Sequence, residues 1–200
     1  GDPFDDESAS RTRDLGHGHV MLDLTAHRMS HYEQFAQMLQ KTPGGKEYLA
    51  AMKERYGEER SRLLISLAGD PHVGIYPNMQ LINNQIRILN PIAPDQCEVI
   101  MFPVLFEGVS DEINEMRLRQ HESFYGPAGS GSPDDAEIFE RAQKGMMAEV
   151  DPWLDLSRGL NREERDERGV ITGRITDEVT QRGQMREWYR LMSAEQGDRK

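Results

Sequence analysis

Cysteine is nearly absent from this chain of 200 residues: Cys97 stands alone. No intrachain disulfide can form, and no cysteine-based zinc site or iron–sulfur cluster can be assembled from these residues. Long apolar runs are missing as well. The longest, residues 99–106, falls far short of the roughly 20 residues that cross a bilayer, and it contains Pro103. The N-terminus carries none of the basic and apolar blocks of a signal sequence. Cytoplasmic residence, with no membrane partner, is the default expectation. Positive charge is in deficit: 24 Lys and Arg face 35 Asp and Glu, for a net charge of −11. That balance argues against a nucleic-acid partner, whose binding rests largely on neutralising phosphates. Several motifs are absent too, among them GxGxxG, a phosphate loop, a GxSxG nucleophile elbow and HExxH. What remains is a hydrophobic fraction of 36% and a charged fraction of 30%. These suit one soluble globular domain, or part of one, with a modest core. The chain opens on Gly1 rather than Met, which reads as a piece or processed form of a longer protein.

Along the chain, a loose acidic segment is expected at 1–13, a folded domain at 14–193 and a polar tail at 194–200. Residues 16–25, GHGHVMLDLT, alternate well enough to predict a strand entered through glycines. A helix is expected to open at Ser30, with Tyr32, Phe35, Ala36 and Leu39 on one face, and to end at Pro43, Gly44 and Gly45. Two more helices follow, over about 46–56 and 58–67. From Gly69 the pattern turns to strands: 73–76, a YPN turn, 79–89, and 97–106. The two longer runs predict an antiparallel hairpin with Gln85 and Arg87 outward of Ile86 and Ile88. Ser110 is expected to cap a further helix with Asp111 and Glu112 in its first turn. The charged segment NREERDERG reads as an exposed loop, and Thr176 or Asp177 as the cap of a last helix. Its Val179, Met185, Trp188, Tyr189 and Met192 are expected to lie on the sheet. Antiparallel strands mixed with segregated helices predict an α+β fold.

One stretch bears on chemistry. In YGPAGSGSPDDAEIFERAQ, residues 125–143, Ser132 suits an N-cap, Pro133 the first helical position, and Asp134 and Asp135 the first turn. At about 100° per residue, Asp135 shares a face with Phe139, Ala142 and Met146, while Glu137, Glu140 and Lys144 cover the other side. An acid aimed with apolar side chains needs a cation, a set of hydrogen-bond donors or a metal. The alternative is an acid satisfied by helix N–H groups. The six histidines form no full ligand set with it. His17 and His19 would share a strand face but make a weak pair alone, and His27 and His31 have a helix start between them.

These residues also carry a resemblance. The segment at 125–143 resembles that around the iron-ligating aspartate of the large (alpha) subunits of Rieske non-haem iron, aromatic-ring-hydroxylating dioxygenases. GHGHVMLDL at 16–24 resembles a strand of the benzoate-like branch, IYPNMQLINNQIRILNPI the strand pair after an aromatic-Pro-Asn turn, and GRITDEVTQRGQMREWYRLM the closing segment. The order is consistent over about 16–192.

The resemblance implies a helix-grip catalytic domain, an antiparallel sheet with a long C-terminal helix, that holds one Fe(II) through two histidines and one aspartate. Asp135 matches the aspartate. It further implies an aromatic pocket lined by Tyr125, Gly131, Phe139, His72, Ile82 and Leu89, with Gly131 leaving room on its side. The implied partners are O₂, a small aromatic substrate that is carboxylated or otherwise polar, and NAD(P)H acting through a reductase, in some members with a ferredoxin. A homo-oligomer or an alpha–beta hetero-oligomer is implied too. The family's histidine pair, from a D-x-x-H motif ahead of the GHGH strand, has no counterpart here, and the ligands of the [2Fe-2S] Rieske cluster are absent. The two histidine ligands are therefore expected upstream, and the chain alone is expected to be inactive. A non-catalytic helix-grip module that binds an aromatic ligand is the other reading, and a structural or assembly fragment a third.

Overall fold

Glycine sets the first turn of the molecule. In a computed structural model that describes residues 9–67, 72–148 and 153–194, Gly16 and Gly18 take φ values of 87° and 75°, and His17 between them takes 52°. This left-handed run folds the expected single strand at 16–25 into a hairpin of β1 (Arg11–Gly16) and β2 (His19–Asp23). β1 thus starts three residues before Asp14. Residues 1–8 of the expected loose segment and 195–200 of the expected tail lie outside the described residues.

The chain divides into two compact units. Unit 1 draws on the stretch up to Tyr32, Leu63–Asn83 and the stretch from Asp155. In it β2 pairs with β3 (His72–Ile75), and β3 pairs with β4 (Met79–Ile82) across Tyr76-Pro77-Asn78. The other edge of β1 pairs with β8 (Ile171–Arg174), which pairs with β7 (Glu164–Arg165). The order is β4-β3-β2-β1-β8-β7, antiparallel throughout. The charged segment expected to be a loop therefore supplies a strand. Its turn closes because Asp166 Oδ1 accepts the N–H groups of Arg168 and Val170, both at 2.9 Å, and Gly169 takes φ 86°.

Helix α1 (Thr25–Ser30) follows β2, and α7 (Val179–Ser193) lies against β1, β2 and β8. Val20, Leu24, Ile171, Ile175 and Val179 form the apolar core of unit 1. Of the expected face of α7, Val179 is buried and the other four residues are not. Val179, Arg182, Gly183 and Glu187 point inward, whereas Met185, Trp188, Tyr189 and Met192 are at least half exposed. Glycine decides this register, because only a residue without Cβ lets the helix approach β1 so closely. Glu178 precedes α7 in place of the expected caps, its side chain capping no helix N–H and accepting instead from the Arg158 N–H at 3.0 Å. Asp177 is instead buried, accepts the Arg174 N–H at 2.9 Å and pairs with Arg162.

Unit 2 comprises Glu33–Arg62 and Asn84–Leu154. His31 interrupts the helix expected from Ser30, so α2 runs over Tyr32–Leu39. Helix α3 (Pro43–Tyr56) begins where an ending was expected: Thr42 accepts the Gly45 N–H and Pro43 occupies the first turn. Helix α4 (Glu58–Leu67) follows. The expected strand at 79–89 breaks at Asn83, whose φ is 54°. Beyond it β5 (Gln85–Ala93) and β6 (Gln96–Pro103) form the expected hairpin, but Gln85 is buried at 1% exposure, contrary to the outward expectation. Helix α5 (Asp111–Tyr125) is anchored by Arg117, whose guanidinium lies 3.8 Å from the Phe106 ring centroid and donates to the Val104 carbonyl. Helix α6 (Ser132–Met146) completes the unit. Among the described residues no helix is long and apolar enough to cross a membrane.

Candidate functional site

The turn between α5 and α6 folds back on the end of α5. Gly129 N–H donates to Gly126 O at 2.8 Å, Ser130 N–H to Ser123 O at 3.1 Å and Gly131 N–H to Phe124 O at 3.0 Å. Gly131 permits this because a Cβ there would lie 2.3 Å from Phe124 Cε1. The space beside Gly131 is thus occupied by the Phe124 ring rather than left open, which corrects the expected spare room.

Gly131, not Ser132, is the residue that precedes the helix, one position earlier than expected. Asp135 then falls at the fourth helical position, and its own N–H donates to Gly131 O at 3.0 Å. Its carboxylate caps nothing and meets no hydrogen-bond donor or cation among the described residues. Asp135 is half-buried where Asp134 is exposed, so the two acids differ as the helical spacing implies. The apolar part of that face, however, is not packed: Phe139 and Met146 are 61% and 74% exposed, and α6 has no buried residue. Among the described residues α6 lies against α5 and is tied to the β5–β6 turn by Gln143 Nε2, which donates to the Pro94 carbonyl at 3.4 Å.

Tyr125 is buried at the end of α5. The Phe124 ring stands edge-on to it at 4.7 Å, the His121 ring lies 5.4 Å away, and the Arg87 guanidinium lies 5.1 Å from its centroid. Leu89 sits on β5 opposite Val99 and shares its strand face with Arg87 and Gln85. His72 and Ile82 are register partners on β3 and β4 of unit 1. The structure thus brings Tyr125 into one aromatic and polar cluster on unit 2 and pairs His72 with Ile82 on unit 1.

The Gln85 amide satisfies its neighbours in one orientation. Its carbonyl accepts from Arg87 Nε at 2.9 Å and Nη2 at 3.0 Å, and its NH₂ donates to His121 Nε2 at 3.0 Å. His121 is therefore a neutral acceptor on Nε2. Burial lowers its pKa from the ordinary 6.5, the nearby Arg87 charge adds to this, and Glu122 opposes it. The signal for this cluster was legible as Gln85-x-Arg87-x-Leu89 at strand spacing and His121 one turn before Tyr125.

The histidine candidates do not form ligand pairs. His17 belongs to the β1–β2 turn and His19 to β2, so they do not share a strand face. His19 Nδ1 accepts the Tyr76 N–H at 3.1 Å. The His27 and His31 rings lie 4.3 Å apart, and His31 Nδ1 is 2.8 Å from the His27 carbonyl, which uses that nitrogen inside the protein. Among the described residues, no three His, Cys, Asp or Glu side chains gather where they could hold a metal ion. Asp135 offers a hard oxygen donor of the type iron accepts, but the described residues do not complete an iron site around it.

No protein-family profile matches the chain. Over 163 residues it is 32% identical to the anthranilate 1,2-dioxygenase large subunit of Acinetobacter baylyi, covering 75% of this chain and 34% of that protein. Over 111 residues it is 37% identical to the 2-halobenzoate 1,2-dioxygenase large subunit of Burkholderia cepacia, covering 54% of this chain and 23% of that one. The chain therefore spans about a third or less of the curated relatives it matches. A naphthalene 1,2-dioxygenase structure with indole bound in the active site shares the fold, with a TM-score of 0.67 at 18% identity. That match covers 94% of this chain and 43% of the other. By this shared sequence and fold, the chain belongs to the large (alpha) subunits of aromatic-ring-hydroxylating dioxygenases, as a portion corresponding to their C-terminal catalytic part.

Proposed function

We propose that this chain is the catalytic-domain portion of a dioxygenase that adds both atoms of O₂ to an aromatic ring, giving a cis-dihydrodiol. The ring gains two oxygens, and two electrons and two protons come from NAD(P)H and solvent. The relatives named for anthranilate and 2-halobenzoate support an aromatic carboxylate as the substrate class. When bound in the whole subunit, a mononuclear Fe(II) supplies oxygen activation and a [2Fe-2S] Rieske cluster supplies electrons. A reductase, with or without a ferredoxin, is the electron donor, and the subunit works in a homo-oligomer or with beta subunits.

The observation that carries the reading is Asp135. It sits in the stretch resembling the family's iron-ligating segment, half-buried, with a carboxylate that neither caps its helix nor meets a cation among the described residues. One carboxylate does not hold iron. The two histidine ligands belong to residues outside this chain, which alone binds iron weakly at best and does not turn over. On unit 2, Tyr125, Leu89, Phe139 and Gly131 are proposed to line the substrate pocket.

The test uses the full-length protein encoded by the reading frame that contains this chain. Iron content and the Rieske optical spectrum are measured for Asp135→Ala and Asp134→Ala, with O₂-dependent conversion of benzoate in the presence of a reductase. We expect Asp135→Ala to lose the mononuclear iron and the conversion while keeping the Rieske spectrum, and Asp134→Ala to keep both. Iron loss in Asp134→Ala alone would move the ligand by one residue. A reading frame without Rieske and histidine ligand motifs would overturn the oxygenase reading.

A further inference from the structure

A half-buried arginine with no acid partner among the described residues stands out in a chain with 35 Asp and Glu against 24 Lys and Arg. The guanidinium of Arg87, on β5, lies 5.1 Å from the Tyr125 ring centroid. Two of its donors, Nε and Nη2, converge on the single carbonyl oxygen of Gln85. No carboxylate pairs with it among the described residues. A guanidinium has five N–H donors in a planar fork, so its remaining edge is unsatisfied by side-chain partners.

The support behind Arg87 is built rather than incidental. Gln85 is 1% exposed, so its amide is fixed in the interior of unit 2, and its NH₂ is held in turn by the neutral His121 Nε2 at 3.0 Å. His121 packs on Tyr125, and Tyr125 lies under Arg87, which closes the set. Guanidinium, amide and imidazole thus form a chain in which each member fixes the next, and the ring beneath fixes the guanidinium plane.

The arginines with a purely structural role in this molecule look different. Arg117 donates to the Val104 carbonyl, and its guanidinium packs 3.8 Å from the Phe106 ring centroid. Arg182 pairs with Glu163 and donates to the carbonyls of Leu156 and Arg158. Both end on the protein's own anionic or carbonyl oxygens. Arg87 is held from behind by a neutral amide, which leaves its positive charge uncompensated by the described residues. An anion is the chemistry that completes it.

Strand periodicity says which anion. Arg87 and Leu89 are two residues apart on β5 and so face the same side, and Tyr125 lies against Arg87. Leu89 and Tyr125 are both walls of the proposed aromatic pocket. Apolar and aromatic surface beside an oriented guanidinium fits a flat ring bearing one carboxylate. We infer that Arg87, oriented by Gln85 and His121, is the residue that recognises the carboxylate of an aromatic acid substrate through a two-pronged charge-assisted hydrogen bond. This rests on the functional reading above and adds to it the specificity-determining side chain.

The test compares two rings of one shape, benzoate and the neutral benzamide, by equilibrium binding to the full-length protein and to its Arg87→Gln and Arg87→Met variants. Melting curves identify which variants fold, and either one that does gives the answer. Wild type should bind benzoate at least about 10-fold more tightly than benzamide, as a charge-assisted pair allows. Loss of Arg87 should weaken benzoate by about 10- to 100-fold and leave benzamide nearly unchanged. Gln85→Leu, which frees the guanidinium from its rear support, should weaken benzoate in the same selective manner by a smaller factor. A benzoate-to-benzamide ratio unchanged in a folded Arg87 variant overturns the inference while leaving the oxygenase reading intact. Binding of neither ring by wild type overturns the oxygenase reading and this inference with it.

Discussion

Gly183 on α7 lies so close to Asp14 on β1 that a Cβ built on it would stand 2.6 Å from the carboxylate carbon and about as near to both oxygens. Asp14 has no room to yield. Its Oδ1 accepts the Gly16 N–H at 2.9 Å, and the residue is 7% exposed. We therefore expect Gly183→Ala to destabilise unit 1. Alanine gains about 1 kcal/mol of helix preference, but overpacking a fixed neighbour costs about 1–3 kcal/mol, and the steric cost wins. A denaturation midpoint below wild type is the expected result, and a raised midpoint would mean that the helix can move.

Gly131 offers a control with the opposite outcome. A Cβ there meets the Phe124 ring at 2.3 Å, yet that ring is 45% exposed and can swing toward solvent. Gly131→Ala should change stability by less than about 1 kcal/mol, the usual range for surface positions. The effect should appear instead as altered Phe124 ring resonances in an NMR spectrum.

Arg182 and Arg186 both reach Glu163, at 2.7 and 3.4 Å, but in different surroundings. The Arg182 side chain is 8% exposed and also serves the carbonyls of Leu156 and Arg158. Arg182→Met removes all three bonds and leaves Glu163 with only the long contact, so a loss of about 3–5 kcal/mol is expected, as for a broken buried pair. Arg186, 45% exposed, should cost less than about 1 kcal/mol on the same change. Urea midpoints of the two variants check the difference, and equal losses would show that burial does not set the scale here.

His121 gives unit 2 a pH dependence with a defined sign. Its folded form holds a proton less tightly than the ordinary 6.5 because the ring is partly buried and faces Arg87, Glu122 opposing. The unfolded chain therefore takes up more protons just below 6.5, so this contribution is intact above that pH and is lost as pH falls through the folded value. We expect the urea midpoint to drop between pH 7 and 5.5 more steeply in wild type than in His121→Gln, which keeps an acceptor for Gln85. For a half-exposed ring the difference is below about 1 kcal/mol. Parallel curves for the two proteins would remove His121 from this role.

Much of this was legible in the residues, and the failures have physical causes. Helical spacing separated Asp135 from Asp134, and apolar alternation found the β5–β6 hairpin. Periodicity could not show that two left-handed glycines with a left-handed histidine between them would fold GHG into a turn. Nor could it choose the buried face of α7, where apolarity pointed to Trp188 and Tyr189. Close approach at Gly183 and the buried Arg182–Glu163 ion pair selected the other face. Glu164 and Arg165 of the polar run NREERDERG form a strand because one side chain, Asp166, organises the turn that follows. At the candidate site, Gln85 was placed outward since an isolated strand does not reveal that His121 and Arg87 will satisfy a buried amide.

The pairing of β1 with β8 bears on how the chain comes to be folded. Thr12 Oγ donates to the Arg174 carbonyl across a separation of 162 residues. That edge of β1 must therefore wait until residue 174 has emerged, and unit 2, which ends at Leu154, is synthesised in the interval. Unit 1 completes by closing a very long loop, the kind of non-local step that slows folding and leaves strand edges unprotected meanwhile. Once residue 82 has emerged β1 can pair through β2 and β3 to β4, and its edge toward β8 stays open until residue 174 follows. Chaperone dependence should accordingly track the interval before residue 174 emerges rather than the stability of the finished protein.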